Sequence, residues 1–128
     1  MNNKILVIDD DTAIRKSFAL TLNDIGFQVD QASSGNQGIE NIKNKTYDLI
    51  FLDLKMPGLN GCETLSRIRQ INTDVPVYII TAFHQEYFAD LQQLDSENIA
   101  YELLKKPIDS NNLIALVNSM LIGPQVLE

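Results

Sequence analysis

The chain has 128 residues, 45% apolar and 21% charged, enough to bury one core without disulfides or a structural metal, and globular rather than disordered in composition. A formal net charge of −7 argues against nucleic acid or an anionic membrane as a direct partner, and fits either plain solubility or attraction of Mg²⁺ or a basic protein face. The single cysteine, Cys62, excludes an internal disulfide and a thiolate zinc site and reads as a structural residue, while no apolar stretch reaches the roughly 20 residues of a membrane span.

Met1-Asn2-Asn3-Lys4 leads straight into a strand rather than a signal peptide, so the expected location is cytoplasmic. Ile5-Leu6-Val7-Ile8 is a continuous apolar run. Ile14, Phe18, Leu22 and Ile25 then recur at helical spacing up to Gly26, a helix-ending residue. A more polar strand, Gln28 to Ala32, precedes a short helix from about Gly35 to Asn44, with Ile39 and Ile42 inward and Ser33 or Ser34 as cap. Leu49-Ile50-Phe51-Leu52 is the second apolar run. It ends in Asp53 and a loop with Pro57, Gly58 and Gly61, and the next helix aligns Leu65, Ile68 and Ile71. Val77-Tyr78-Ile79-Ile80 is the third run, closed by Thr81, and a helix follows with Phe88, Leu91 and Leu94 on one stripe. Ile99 to Leu104 reads as a fifth strand interrupted by Glu102. Leu113, Leu116, Val117, Met120 and Leu121 then follow the i, i+3, i+4, i+7, i+8 pattern of an amphipathic helix.

Strands alternating with helices throughout imply an α/β fold, a parallel sheet covered on both faces. The first, third and fourth strands are apolar throughout and belong in the middle; the polar second and fifth belong at the edges. Right-handed crossovers then give a flavodoxin-like, doubly wound sheet of five strands in the order 2-1-3-4-5, with five helices.

Ligands of such a sheet bind at the carboxyl ends of the strands. There the first strand runs into Asp9-Asp10-Asp11, the third into Asp53, the fourth into Thr81 and the fifth into Lys105-Lys106-Pro107. Carboxylates crowded together repel by several kcal/mol at an effective dielectric of about 20 unless a cation or proton relieves them. A hard, oxygen-seeking ion that keeps several waters, Mg²⁺, answers best. A phosphoryl group at Asp53 would be neutralised by Mg²⁺ and Lys106 and would accept a hydrogen bond from Thr81. Taken singly, each residue has an ordinary alternative: Asp11 as a helix N-cap, which is the reading preferred for it, Thr81 as a cap, Lys106 as a solvated charge. Their joint placement on one rim is the argument.

From ILVIDDD (5–11) through FLDLKMPGLNG (51–61) and IITA (79–82) to LLKKPID (103–109), the chain resembles the receiver domains of two-component response regulators. The resemblance implies a phosphorelay switch with Asp53 as phospho-acceptor. It implies Mg²⁺ held by Asp10, Asp53 and the backbone carbonyl of Lys55, with Asp9 acting largely through a metal-bound water. Thr81 and Lys106 would hold the phosphoryl oxygens, Lys105 would face solvent, and the Lys106-Pro107 bond would be cis. The partner would be a histidine kinase or histidine phosphotransferase, with a fused output domain or a downstream protein beyond it. Catalysis would be confined to Mg²⁺-dependent self-phosphorylation and self-dephosphorylation.

Three features depart from the family. Leu103 stands where an aromatic residue is usual, with Tyr101 the nearest ring; the stretch from Thr81 to Lys106 is longer than usual; and Asn98 replaces a glycine before the last strand. With no ring at 103 to swing, relay of the signal is expected to rest on Thr81 and the region after it. The resemblance also implies that the positions two after the acceptor and two after the threonine flank the path of a hydrolytic water; here they are Lys55 and Phe83, bulky enough to shield it, so a long-lived phosphoryl state is expected.

The rival readings are a receiver-like docking module that is never phosphorylated, a phosphatase of the haloacid dehalogenase type and a flavin carrier. The first need not keep the full acid, threonine and lysine set. The second wants an acid where Lys55 stands, and the third wants a phosphate loop that is missing after the first strand. The receiver domain is expected over 1–122, with 123–128 a tail or the start of a linker.

Overall fold

The computed structural model describes residues 3–82 and 85–122. In chain order the elements are β1 (Lys4–Ile8), α1 (Thr12–Asp24), β2 (Gln28–Ala32), α2 (Gly35–Asn44), β3 (Leu49–Asp53), α3 (Gly61–Ile71), β4 (Val77–Thr81), a 3₁₀ turn (Gln85–Tyr87), α4 (Phe88–Ser96), β5 (Glu102–Lys105) and α5 (Ser110–Leu121). All strand pairings are parallel and the order is β2-β1-β3-β4-β5. Strand polarity sorts the sheet as expected, because a strand covered on both faces has no solvent-facing side for polar residues. β3 and β4 are buried along their whole length, and β5 is largely exposed.

Successive strand residues point to opposite faces, and this alternation divides the core in two. Leu6, Ile8, Ile50, Leu52 and Ile79 face Ile39 and Ile42 of α2, Leu65 and Ile68 of α3, and Leu91 and Leu94 of α4. Ile5, Val7, Leu49, Phe51, Tyr78 and Ile80 face Phe18 and Leu22 of α1 and Leu113 and Val117 of α5. Phe18 meets Phe51 edge-on, at 5.3 Å between ring centroids. Burying each of these side chains contributes roughly 1.5–3 kcal/mol.

Two helices end in the same hydrogen-bonded turn. Gly26, at φ +100°, donates to Asn23 O, and Phe27 donates to Leu22 O. Asn98, at φ +57°, donates to Asp95 O, and Ile99 donates to Leu94 O. Asn tolerates this left-handed conformation better than other side-chain-bearing residues, which explains its standing in for glycine. Ser34, rather than Ser33, caps α2, and Asp11 caps α1 through the amides of Ala13 and Ile14.

The start of β5 and the exposure of four helix-stripe residues differ from the sequence-based expectations. β5 begins at Glu102 rather than Ile99, because the Ile99 amide is taken by Leu94 O and the Ala100 carbonyl by the Arg69 guanidinium (2.7 Å from Nη2). Phe88 and Ile71, read as members of buried stripes, are 58% and 43% exposed. Three residues fall about 60° short of a helical turn, so a stripe at i, i+3, i+6 rotates one end away from the core. Ile25 and Met120, at the ends of longer stripes, are likewise exposed. No helix among the described residues is long and apolar enough to cross a membrane.

Gly61 starts α3 directly against the end of β3. Its amide donates to Leu54 O at 2.8 Å, and a Cβ there would lie 2.6 Å from Asp53 O and 2.7 Å from Leu54 Cα. Backbone cannot give way as a side-chain tip can, so Gly61→Ala should destabilise the fold by about 1–3 kcal/mol, measured as a lower urea midpoint with an unchanged m-value. A midpoint equal to wild type would show that the β3–α3 connection can yield to a methyl group.

Candidate functional site

The site follows from the register of the central strands. Ile8 pairs with Leu52, so the residues after them, Asp9 and Asp53, leave the sheet side by side. Thr81 pairs with Lys105, and the Lys106 amide donates to Thr81 O at 2.9 Å, which brings Lys106 to the same rim. Asp9, Asp10, Asp53, Lys55, Thr81 and Lys106 all line one open cleft of about 250 Å³, together with Asp11, Ile14 and Ala82. The six residues expected to hold the metal and the phosphoryl group therefore line one cleft. Phe83 lies outside the described residues, as does the tail at 123–128.

Carboxylate oxygens of Asp9, Asp10 and Asp53 lie within 4.8 Å of one another. Asp9 and Asp53 are buried at 3% and 6% exposure, whereas Asp10 is exposed. The Lys106 ammonium sits 3.1 Å from Asp9 Oδ2 and 3.1 Å from Asp53 Oδ1, bridging the two buried acids. Asp11 N donates to Asp9 Oδ1 at 2.9 Å, which closes the acidic turn. Thr81 is 2% exposed. Lys105 is exposed, as expected, and the Lys106-Pro107 peptide is cis.

Two further residues bear on the cleft that the sequence did not single out. Arg15, in the first turn of α1, donates from Nη1 to Asp9 O at 2.7 Å. Glu86, in the 3₁₀ turn, pairs with Lys55 Nζ at 3.4 Å, which ties this cleft-lining lysine to the 3₁₀ turn after β4. Arg15 stands six residues beyond Asp9, a separation that signals contact only once the strand-to-helix turn is known. Cys62 is buried, and burial pushes its thiol up to about 12, consistent with a packing role. At the family's aromatic position, Leu103 is 37% exposed on the edge strand, while Tyr101 donates its hydroxyl to Asp95 Oδ1 at 3.0 Å and packs toward α4.

Burial raises the Asp53 carboxyl to about 6; Asp9 and, less strongly, Asp10 push the same way, and Lys106 opposes them. Burial likewise disfavours the Lys106 charge, but Asp53 and Asp9 outweigh it and hold the ammonium above its ordinary value. Two buried carboxylates and an exposed one against a single ammonium leave negative charge in excess. Such a set of hard oxygen donors fits a small divalent cation, which is the fit Mg²⁺ requires.

The pH consequence has a definite sign. With the folded value near 6 and the ordinary value at 3.8, the native state holds more protons than the unfolded chain between about pH 4 and 6. This group's contribution to stability is therefore lost as pH rises through that window, by roughly 2–3 kcal/mol. Metal-free urea melts at pH 4 and pH 7 should show most of that loss in wild type and a smaller one in Asp53→Asn. The same pH dependence in both proteins would place the raised titration elsewhere.

Comparison with known proteins points the same way. Residues 5–118 match the sequence profile of the response regulator receiver domain. The chain is 34% identical over 113 residues to sporulation initiation phosphotransferase F of Bacillus subtilis, covering 88% of this chain and 89% of that protein. It is 36% identical to the response regulator ArlR of Staphylococcus saprophyticus, covering 92% of this chain but only 52% of that longer protein. It also spans just 28% of the transcriptional regulatory protein ZraR of Escherichia coli O157:H7. Among solved structures, a CheY-like receiver domain protein of Methanospirillum hungatei superposes with a TM-score of 0.83 at 23% identity, over 93% of each chain, which speaks to the fold. The response regulator TrrA of Thermotoga maritima, solved in complex with Mg²⁺ and BeF, gives 0.78 at 31% identity over 93% of this chain and 99% of its own. The chain belongs to the response regulator receiver domains, the phospho-acceptor switches of two-component signalling.

Proposed function

We propose that Asp53 is the residue that accepts the phosphoryl group, from a histidine kinase or histidine phosphotransferase, in a Mg²⁺-dependent reaction. The observation that carries this is the placement of Asp53 Oδ1 3.1 Å from the Lys106 ammonium, with oxygens of Asp9 and Asp10 within 4.8 Å, at the end of a fully buried strand. Asp53, Asp10 and the Lys55 carbonyl would hold the ion, with Asp9 acting largely through a bound water. When bound, the ion supplies the positive charge that offsets the acids and draws electron density from the phosphoryl oxygens.

With its carboxyl near 6, Asp53 is mostly ionised at neutral pH and acts directly as nucleophile. An oxygen of its carboxylate forms the new bond to phosphorus, and the bond from phosphorus to the donor's imidazole nitrogen breaks with its electron pair leaving on that nitrogen. Lys106, already at the Asp53 oxygen, exchanges part of its carboxylate contact for a phosphoryl oxygen. Thr81, at the same rim, donates its hydroxyl to another. With Leu103 aliphatic and solvent-facing, the new contact is relayed through Thr81 and the segment after it. The domain occupies 1–122 and works in the cytoplasm, with 123–128 a tail or the start of a linker. The greater length of ArlR and ZraR supports an output domain or a downstream target beyond it.

Incubation with acetyl phosphate and Mg²⁺ should add one phosphate by mass spectrometry, absent in Asp53→Asn and absent when EDTA replaces the metal. Labelling that survives in Asp53→Asn would move the acceptor elsewhere.

We further infer a slow self-dephosphorylation. Lys55, which lines the cleft and is tied to Glu86, would narrow the in-line approach of water and lacks a short acid or amide to orient it. A barrier higher by about 1.4 kcal/mol slows hydrolysis tenfold. Lys55→Asn should therefore shorten the half-life of the labelled protein about tenfold, followed by loss of labelled phosphate; Phe83→Ala tests the other expected flank. Equal decay in all three proteins would rule the shielding out.

A further inference from the structure

Asp10 is the exposed member of the acid cluster, and its position depends on the backbone of the turn that carries it. That turn runs from Asp9 to Thr12 and is spanned by one side chain. Arg15 Nη1 donates to the Asp9 carbonyl at 2.7 Å and Nη2 to Thr12 Oγ1 at 3.3 Å, so the guanidinium closes over both ends of the Asp10-Asp11 segment. From within, the turn is closed by Asp11 N to Asp9 Oδ1, and it is fixed to the sheet by Asp9 N to Ala32 O at 3.1 Å. Arg15 is half-buried in the first turn of α1. A planar guanidinium fork can satisfy two acceptors in fixed relation, which a single ammonium cannot.

We propose that Arg15 is a positioning residue for the metal-dependent reaction: it holds the Asp9–Thr12 turn so that Asp10 is presented to the cation beside Asp53. The inference rests on the acid cluster being the Mg²⁺ site. Position and charge predict opposite signs for the loss of Arg15. Arg15 is a cation close to a cation site, so if it acted only through its charge, removing it would tighten Mg²⁺ binding by relieving repulsion. If it pre-orders the turn, removing it weakens binding, because the ion must then order the loop as it binds.

Mg²⁺ affinity measured by titration calorimetry decides between these. Arg15→Ala should bind Mg²⁺ about tenfold more weakly, the scale expected when a partner that orients a metal ligand is lost. Arg15→Lys keeps the charge but not the fork and should also bind more weakly. Thr12→Val, which removes only the second anchor, should show a smaller loss, and it keeps the test decisive should Arg15→Ala fold poorly in an EDTA melt. In acetyl phosphate labelling, the Mg²⁺ concentration for half-maximal rate should rise by the same factor while the rate at saturating Mg²⁺ is retained. Unchanged or tighter Mg²⁺ binding in Arg15→Lys and Thr12→Val overturns the proposal. An Asp10→Asn control separates the two readings: if it binds Mg²⁺ as wild type does, the acid cluster is not the metal site; if it loses binding while the Arg15 and Thr12 variants keep it, only the positioning role fails.

Discussion

The contact on which the site depends is the bridge from the Lys106 ammonium to Asp9 and Asp53, 3.1 Å to each. Two carboxylates at 3% and 6% exposure would repel strongly and lose their hydration together, so folding them side by side requires a cation within the same space. Lys106 provides one charge against two buried acids, with Asp10 adjacent. The balance stays negative, and the carboxyl of Asp53 stays above its ordinary value. Such a cluster of oxygen donors with negative charge in excess suits a small divalent cation.

The rest of the fold serves to hold that charge arrangement still. β1, β3 and β4 are covered on both faces, and their register alone fixes how far apart Asp9, Asp53 and Thr81 can be. On the flank of β3, Gly61 lets α3 begin against the backbone of Asp53 with no intervening side chain. On the flank of β1, Asp11 caps α1 while Arg15 returns to the Asp9 carbonyl. Among the described residues no buried side-chain nitrogen or oxygen is left without a hydrogen-bond partner, so the rim's charge is met locally rather than left to the core.

The β4–α4–β5 side is built differently. β5 is short and exposed, Phe88 and Leu103 face solvent, and Tyr101 is committed to Asp95 at the end of α4. A ring anchored in this way fastens the edge strand to α4. The Lys55–Glu86 pair links the loop after β3 to the 3₁₀ turn after β4, but it is largely solvated and worth at most about 1 kcal/mol. The turns bearing Asp9 and Asp53, by contrast, are fixed by backbone hydrogen bonds, Asp9 N to Ala32 O and Leu54 N to Ile80 O.

Much of this was legible in the sequence because it depends on local pattern. The apolar runs at Ile5–Ile8, Leu49–Leu52 and Val77–Ile80 marked the central strands, and the polar residues of the second and fifth strands put those two at the edges; the sheet order followed. The acids, Thr81 and Lys106 each stood at a strand end, so knowing the strands was enough to gather them on one rim. Only the tertiary structure decided what depends on relations between elements. The fifth strand starts late because Arg69, on another helix, takes the Ala100 carbonyl. Phe88 and Ile71 turn to solvent because periodicity gives a helix a face but not the limits of what covers it. Arg15 and Glu86 carry no local mark at all: a long charged side chain reads as solvated until the fold supplies a carbonyl or an opposite charge within its reach.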